Sequence, residues 1–459
     1  MNSTIITRVV KEDLCIGCGT CAALCPQGNL ETAWNRYGEY NALEVKPCTT
    51  DCGLCLKVCP FSGEGDDEDA IGKHLYSDVP SIRHRTETGY YLSTYVGHSE
   101  GHRLIGASGG MTTWLLEVLL SNDIVDHVIC VTSTNDPDKL FAFTVFNTPE
   151  EVRNGAGSAY YPVEMSEILR HVMEVPGRYA ITGLPCFIKA VRLAQSQNSK
   201  LQGGIVVTVG LVCGQMKSKH FTDYVAALAG VRDKVIKVRY RGKSQDRQAS
   251  DFYVNFTNAD GEGHGVHWSD GIVEAWTNRW FTPRACNYCD DIFAECADVT
   301  CMDAWLPKYS ADWRGTSLVL VRSPLVQELI EQEQRIEIKS ISIERVVQSQ
   351  EGVVAVKREH LAHRLYADER DGRRPHRKRV PPARSNNAFL RQEEVLKEQI
   401  RIMSRDLWAA GMTDAEKFRG GMKPYLKLLA ARRRLSYAIT FPVNALRFVR
   451  RRYGGNDND

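Results

Sequence analysis

The 459-residue sequence has no apolar run long enough to span a membrane as a helix; the longest, Gly203 to Gly214 (GGIVVTVGLVCG), has the size of a buried strand. An excess of one charge is also missing. The chain has 58 Lys and Arg against 56 Asp and Glu, a net charge of +2, so no global field points to nucleic acid and none is expected as a partner. No G-x-G-x-x-G follows a β-rich run, so a nicotinamide site of the Rossmann kind is not indicated. The first dozen residues, MNSTIITRVVKE, lack the apolar core and cleavage site of a secretory signal, and the cysteine total of 15 is odd, so a reducing cytoplasm is the expected setting. Apart from one doubled cysteine motif there is no internal repeat. The 43% apolar and 25% charged fractions are those of a soluble globular protein, and the length suggests about three domains.

Two compact cysteine runs open the chain, each closed by proline: Cys15, Cys18, Cys21 and Cys25 before Pro26, and Cys48, Cys52, Cys55 and Cys59 before Pro60. A C-x2-C-x2-C loop presents three thiolates to one cubane cluster, while the fourth cysteine of each run serves the other run's cluster. This crossing predicts one 4Fe-4S cluster on Cys15, Cys18, Cys21 and Cys59, and a second on Cys48, Cys52, Cys55 and Cys25. Thr49, Thr50 and Asp51 add one residue to the second run, so its first ligand arrives on a wider loop. Zinc sites space their C-x2-C pairs a dozen or more residues apart, and disulfides need an oxidising compartment, so both alternatives fit poorly.

Residues 1–65 are therefore expected to form an α+β ferredoxin-like domain with two clusters. The acid-rich and glycine-rich SGEGDDEDA reads as a solvated hinge, with a linker over 66–92. From about Ser93, short β-rich runs alternate with helical ones: VDHVICV, FAFTVF, VEMSEILRHVME, RYAIT, a helix from Cys186, and GIVVTVGLV. This is the pattern of an α/β domain, assigned to residues 93–322. VIKVRYRGK and DFYVNFTNADGEGHGVHW alternate with period two around Asp260 and Gly261, as an appended antiparallel β-hairpin would. Residues 323–459 read as a charged, mainly helical, basic C-terminal extension with a breaker-rich loop, DGRRPHRKRVPPARSNN. After Pro442 a helix would align Val443, Leu446, Val449 and Tyr453 beside Arg447, Arg450 and Arg451. Packing on its own protein is the first reading of that stripe, and weak peripheral membrane contact is the second.

Seven cysteines remain: Cys130, Cys186, Cys213, Cys286, Cys289, Cys296 and Cys301. Cys130, in HVICV, reads as a small core residue. Cys186 follows a strand and a Gly-Leu-Pro turn, Cys213 ends a strand, and Cys286 with Cys289 is a C-x2-C pair. Ligands of an open α/β sheet bind outside the carboxyl ends of its strands, where Cys186 and Cys213 both fall. A third cluster on Cys186, Cys213, Cys286 and Cys289 and a set of separate buried thiols both satisfy the spacing, because only one pair is spaced as metal ligands.

Clusters pass single electrons whereas metabolic reductants deliver pairs, and a flavin adapts one to the other. One anion cradle is present, Ala107-Ser108-Gly109-Gly110 at the start of MTTWLLEVLL. Ser108 would cap the helix, and the glycines with their free N–H groups would admit a pyrophosphate. Taken alone, a Ser-Gly helix start is a plain cap.

Several stretches, in order, resemble the β subunits of coenzyme F-420-reducing hydrogenases and dehydrogenases. They are Arg103 through Ala107-Ser108-Gly109-Gly110, Gly157-Ser158-Ala159-Tyr160, Thr182-Gly183-Leu184-Pro185-Cys186, Gly210-Leu211-Val212-Cys213, and Cys286 to Cys289 running into Ala297-Asp298 and Asp303. With the two cysteine runs, the likeness spans roughly residues 10 to 330. The family includes deazaflavin-oxidising subunits, the front half of an F-420-dependent sulfite reductase, and 7-hydroxymethyl chlorophyll a reductase; its members bind FAD beside a cluster in the α/β domain. The resemblance implies FAD contacts at Ser108, Gly109, Gly110, Ser158 and Tyr160, and internal 4Fe-4S ligands at Cys186, Cys213, Cys286 and Cys289. Two positions depart from the family pattern: Ala107 stands in place of a first serine, and Met302 rather than glycine precedes Asp303.

The function so implied is an iron–sulfur flavoprotein oxidoreductase moving electrons between 4Fe-4S clusters and FAD, with hydride exchange with coenzyme F-420 or a related organic partner. A ferredoxin-dependent reductase of a small metabolite or sugar-linked substrate, and a non-catalytic electron-transfer subunit of a larger complex, are the alternatives. The expected partners are a redox protein or ferredoxin and an organic hydride donor or acceptor. Lys189, Arg192, Arg239 and Arg241 are the cations that would meet an acidic coenzyme tail, though each taken singly reads as a solvated charge. No residue stands out as catalytic acid or base. Anaerobically purified protein is expected to hold about twelve irons per chain, and about eight would remove the internal cluster.

Overall fold

The computed structural model describes residues 4–373 and 377–453, with side chains up to residue 438. The stripe expected after Pro442 therefore falls outside the described side chains. In the cysteine-rich unit, Leu30–Trp34 and Tyr40–Glu44 pair antiparallel, with Leu30 opposite Glu44. Short helices Thr20–Ala23 and Leu54–Lys57 each start from a left-handed glycine, Gly19 at φ 77° and Gly53 at φ 63°. A glycine just after the second cysteine lets each run turn sharply and set its third cysteine on the helix. The unit rests on the rest of the chain: the Met165 N–H donates to the Cys18 carbonyl at 2.8 Å, and Arg170 to the Ala22 carbonyl at 3.0 Å.

Eight strands form the main sheet, in the spatial order Ile336–Ser340, Ser93–Ser99, Ser317–Val321, Val299–Asp303, Ile205–Leu211, Tyr179–Gly183, His127–Ser133 and Phe141–Phe146. Val299–Asp303, Ile205–Leu211, Tyr179–Gly183 and His127–Ser133 run parallel. The flanking strands are antiparallel to their neighbours. Tyr179–Gly183 is buried at every position, as a strand covered on both faces must be. Val128 and Ala180 join the apolar cluster of helix Met111–Ser121, whereas Ile129 and Ile181 join the cluster that includes Phe187 of helix Pro185–Gln195.

Three features differ from the sequence reading. Residues 66–92, read as linker, are packed: Asp67 caps helix Glu68–Tyr76 by accepting from the Ala70 N–H, and Arg83–Arg85 pairs with Gly89–Tyr91. The acid run is not uniformly solvated: Glu64, Asp66 and Asp69 are exposed, but Glu68 is buried against Lys189 Nζ at 3.0 Å. Ile336–Ser340 pairs with Ser93–Ser99, so the sheet continues past Ser323; this edge strand, Ile-Glu-Ile-Lys-Ser, does alternate, but at five residues it is a short signal in a charged, helix-rich stretch. The hairpin around Asp260 and Gly261 joins Tyr253–Asn258 to Gly263–His267, and Val235–Gly242 completes a separate three-stranded sheet.

Helix Ala388–Ala409 ties the cysteine-rich unit to the α/β region. Arg405 grips Asp13 at 2.6 and 2.9 Å and Glu39 at 2.8 Å, while the Phe281 N–H donates to Ser404 Oγ at 2.9 Å. Trp408 packs edge-on against both Phe281 and Phe418. Arg405→Ala would leave Glu39 buried and unpaired, and is expected to cost about 3 kcal/mol. A urea midpoint equal to that of the native protein would refute this clamp.

Candidate iron–sulfur and flavin site

Cys15, Cys18, Cys21 and Cys59 line one cavity with Ile16, Ala42 and Val58, so the first run meets the last cysteine of the second. Burial pushes the Cys21 thiol well up, and the charges of Cys18, Cys15 and Cys59 add to it. Burial also raises Cys18, to about 11. The Gly17 N–H points at Cys15 Sγ, 3.4 Å away. The loops carrying Cys25 and Cys48 are stitched together by Gln27 Nε2 to Thr49 Oγ1 at 2.9 Å and Asn29 Nδ2 to the Pro47 carbonyl at 3.3 Å. Cys52 lies exposed, so this second set is the one nearer solvent.

A second gathering of thiols stands outside the carboxyl ends of strands Tyr179–Gly183 and Ile205–Leu211. Burial, followed by the charges of Cys289, Cys213 and Cys286, drives Cys186 well above the ordinary thiol range. Burial likewise pushes Cys213 up to about 12 and Cys286 to about 11. The Met216 N–H donates to Cys286 Sγ at 3.2 Å, and Lys357 Nζ to Cys289 Sγ at 2.9 Å. All fifteen cysteines are free, and Cys130, Cys296 and Cys301 are buried. No group of three or more His, Cys, Asp or Glu among the described residues closes around a single metal ion. Three thiols raised by burial and by neighbouring sulfur charge, together with Cys289, and N–H and ammonium donors aimed at the sulfurs of Cys286 and Cys289, are a donor set that fits an iron–sulfur cluster.

The turn at Ser108 is built differently from its sequence reading. Gly110, at φ 79°, starts helix Met111–Ser121, and no side chain caps it. The Ser108 hydroxyl donates instead to the Thr316 carbonyl at 2.8 Å, and the Gly109 N–H to Ser317 Oγ at 3.1 Å. A Cβ on Gly109 would lie 2.7 Å from the Gly97 carbonyl oxygen, and one on Gly110 would lie 2.6 Å from the His102 carbonyl carbon. Strand packing requires Gly109, the helical turn at His102 and a positive φ require Gly110, and the Ser108 and Gly109 donors are already engaged by protein.

Cationic side chains surround this turn. One Arg241 guanidinium bonds the Ala107 carbonyl at 3.2 Å, the Tyr160 hydroxyl at 3.2 Å and the Asp303 carboxylate at 2.9 and 3.2 Å, and it lies 4.3 Å over the Phe252 ring. Lys243 donates to the carbonyls of Arg103, Ser108 and Arg314. Tyr160 and the Ser108 turn are thus brought together, while Ser158 sits half-buried on the loop before Tyr160. Of the four cations expected to meet a coenzyme tail, only Arg239 is exposed. Lys189 is spent on Glu68, Arg192 on Asp298 at 3.0 Å, and Arg241 on Asp303. Lys189 and Arg192 are neither free to meet a tail nor solvated charges, while Arg241 keeps one buried donor, Nε, without a partner among the described residues.

Models of the coenzyme F420 hydrogenase/dehydrogenase beta subunit match residues 94–170 (its N-term) and 177–344 (its C terminus), and a 4Fe-4S dicluster domain matches residues 14–62. The chain belongs to the family of coenzyme F420 hydrogenase/dehydrogenase beta subunits. It is 22% identical over 303 residues to a subunit of the F(420)H(2) dehydrogenase of Methanosarcina mazei, covering 64% of this chain and 77% of that one. It is 25% identical over 191 residues to the coenzyme F420-dependent sulfite reductase of Methanocaldococcus jannaschii, covering 41% of this chain and 26% of that protein. A chain of the F420-reducing NiFe hydrogenase complex from Methanosarcina barkeri superposes with a TM-score of 0.48 at 18% identity, over 62% of this chain and 96% of that one. This beta-subunit relative is therefore an iron–sulfur protein of an oxidoreductase family. Among the described residues no helix is long and apolar enough to cross a membrane.

Lys357 and Lys243 were not identified from the sequence. Neither lies in a motif, and only the packed chain puts Lys357 beside Cys289. The Lys243 pKa is lowered from 10.5 to about 7, first by burial and then by the charges of Arg241 and Arg103. With the folded value below the unfolded one, the unfolded chain binds more protons between these two values. The cost of burying this ammonium is therefore full below about pH 7 and is relieved as pH rises through that window. Relative to Lys243→Met, the native chain is expected to gain stability between about pH 7 and pH 10, read from urea midpoints; parallel pH profiles would sink this assignment.

Proposed function

We propose that this chain is an iron–sulfur flavoprotein oxidoreductase. It passes electrons between two 4Fe-4S clusters in its N-terminal domain, an internal cluster on Cys186, Cys213, Cys286 and Cys289, and FAD, and it exchanges hydride with coenzyme F-420 or a related organic partner. The observation that carries this reading is the meeting of Cys186 and Cys213, from two adjacent strand ends, with the C-x2-C pair Cys286 and Cys289. Two relatives whose names contain the F420 coenzyme support the choice of partner.

When bound, FAD supplies the step that converts single-electron transfers into hydride transfer. The chain's own residues bind, orient and balance charge. Because Ser108 and Gly109 are engaged elsewhere, the anion-binding role moves to side chains. Arg241 keeps a buried Nε without a partner among the described residues, and Lys243 adds a charge that titrates near neutrality. Tyr160 is fixed by its bond to Arg241 and by its contact with Trp276, whose ring centroid is 5.0 Å away, so it presents a rigid aromatic wall. On this reading the exposed loop at Cys52 is where a redox protein docks, and the buried set at Cys21 and Cys59 leads inward.

A non-catalytic electron-transfer subunit is the second reading, favoured by the Methanosarcina mazei relative, which is named as a subunit. Anaerobically reconstituted protein is expected to show a flavin spectrum that bleaches on addition of reduced coenzyme F-420, and Arg241→Ala is expected to lose flavin while keeping its iron. No flavin after reconstitution would defeat the first reading, and bleaching only in the presence of a partner complex would favour the second.

A further inference from the structure

We propose that Lys357 sets the reduction potential of the internal cluster, holding it more readily reduced than its four thiolates alone would allow. This rests on the reading that Cys186, Cys213, Cys286 and Cys289 bind a cluster. Lys357 is 2% exposed, and its Nζ has two hydrogen-bond partners, Cys289 Sγ at 2.9 Å and the Asp291 carbonyl at 2.8 Å. Neither bond is an ion pair with a carboxylate. A buried ammonium with no carboxylate bonded to it needs another anion nearby, and thiolate sulfur is the one it touches.

The lysine is delivered by a segment that continues past residue 344, where the family match ends. Helices Ile343–Ser349 and Glu351–Ala355 pack Ile343, Val346, Val353 and Val354 against Phe293, Leu318 and Val212. The next turn, Val356–His360, carries Lys357 inward, while Arg358 anchors on the Thr86 carbonyl at 2.9 Å. The strap is therefore placed by its own apolar contacts, and the charge arrives at a defined sulfur.

Reduction adds one electron to the cluster and breaks no bond, so the reduced cluster carries one more negative charge. A fixed cation hydrogen-bonded to a ligating sulfur stabilises that form more than the oxidised one and raises the potential. Arginine would keep this effect, whereas an apolar side chain of similar length would lose it.

The test is a potentiometric titration of the full, anaerobically purified chain, with dithionite as electron source and paramagnetic resonance as readout. The internal signal is assigned as the one lost in Cys286→Ser. Lys357→Met is expected to shift that cluster's reduction equilibrium at least tenfold against reduction, about 59 mV more negative for one electron, and to leave the N-terminal signals in place. Lys357→Arg is expected to restore the native value. Lys357→Gln, which keeps a donor and drops the charge, serves if the methionine variant fails to fold. An unmoved potential at native iron content overturns the role of Lys357 alone. Native protein with about eight irons and no signal lost in Cys286→Ser overturns the internal cluster and this proposal with it.

Discussion

Bringing the thiols of Cys186, Cys213 and Cys286 together beside Cys289 makes their ionisation costly, because burial and neighbouring sulfur charge both oppose it, and the packing around them answers that constraint. Cys186 shows it directly, since burial and its three neighbours all resist ionisation. The structure answers with donors from separate parts of the sequence. Met216 supplies a backbone N–H from the segment after Cys213, and Lys357 supplies an ammonium from far along the chain. A cationic iron core would complete the balance, which is why a thiol set so costly when bare fits a cluster.

The same balance of charge extends outward from the thiols to the cysteine-rich unit. Arg379 bonds Glu295 at 2.7 and 3.0 Å and Asp69 at 2.8 Å, and its N–H meets Asp290, one residue from Cys289. Lys189 and Glu68 pair within this web. Asp67, Glu68, Asp290 and Arg379 line the same cleft as Cys59 and Pro60. Glu68 and Asp69 of the acidic stretch after the second cysteine run are thus counter-charges for the buried side chains of Lys189 and Arg379, and they tie that stretch to the region around Cys289. Arg405, reaching Asp13 and Glu39, closes the arrangement from the other side.

The turn at Ser108 shows how local pattern and tertiary context compete. Its glycines resemble a phosphate cradle, yet strands Ser93–Ser99 and Ser317–Val321 crowd Gly109, and His102 crowds Gly110, at distances where no Cβ fits. What surrounds the turn is a set of cations whose own carboxylate and carbonyl partners are already in place, Asp303 for Arg241 and Asp312 for Arg103, at 2.9 and 2.8 Å. On the proposed reading, anion binding there falls to side chains drawn from the three-stranded sheet that carries Arg241 and from the loop just beyond it, which carries Lys243. It does not depend on the helix start itself.

Much of the architecture could be read from residue order. The paired Cys-Pro runs, the alternating strands from His127 to Leu211 and the turn at Asp260 and Gly261 are local signals, because spacing and period are properties of neighbouring residues. The cysteines that follow strands Tyr179–Gly183 and Ile205–Leu211, Cys186 and Cys213, were legible for the same reason, since a strand end is marked by the turn beside it. Strands Ser93–Ser99 and Ile336–Ser340, the burial of Glu68, Lys189 and Arg192, the engagement of Ser108 with Thr316, and the arrival of Lys357 at Cys289 were not. Each depends on a partner far away in sequence, and whether a charge is solvated, paired or aimed at sulfur is decided only when packing removes the water around it.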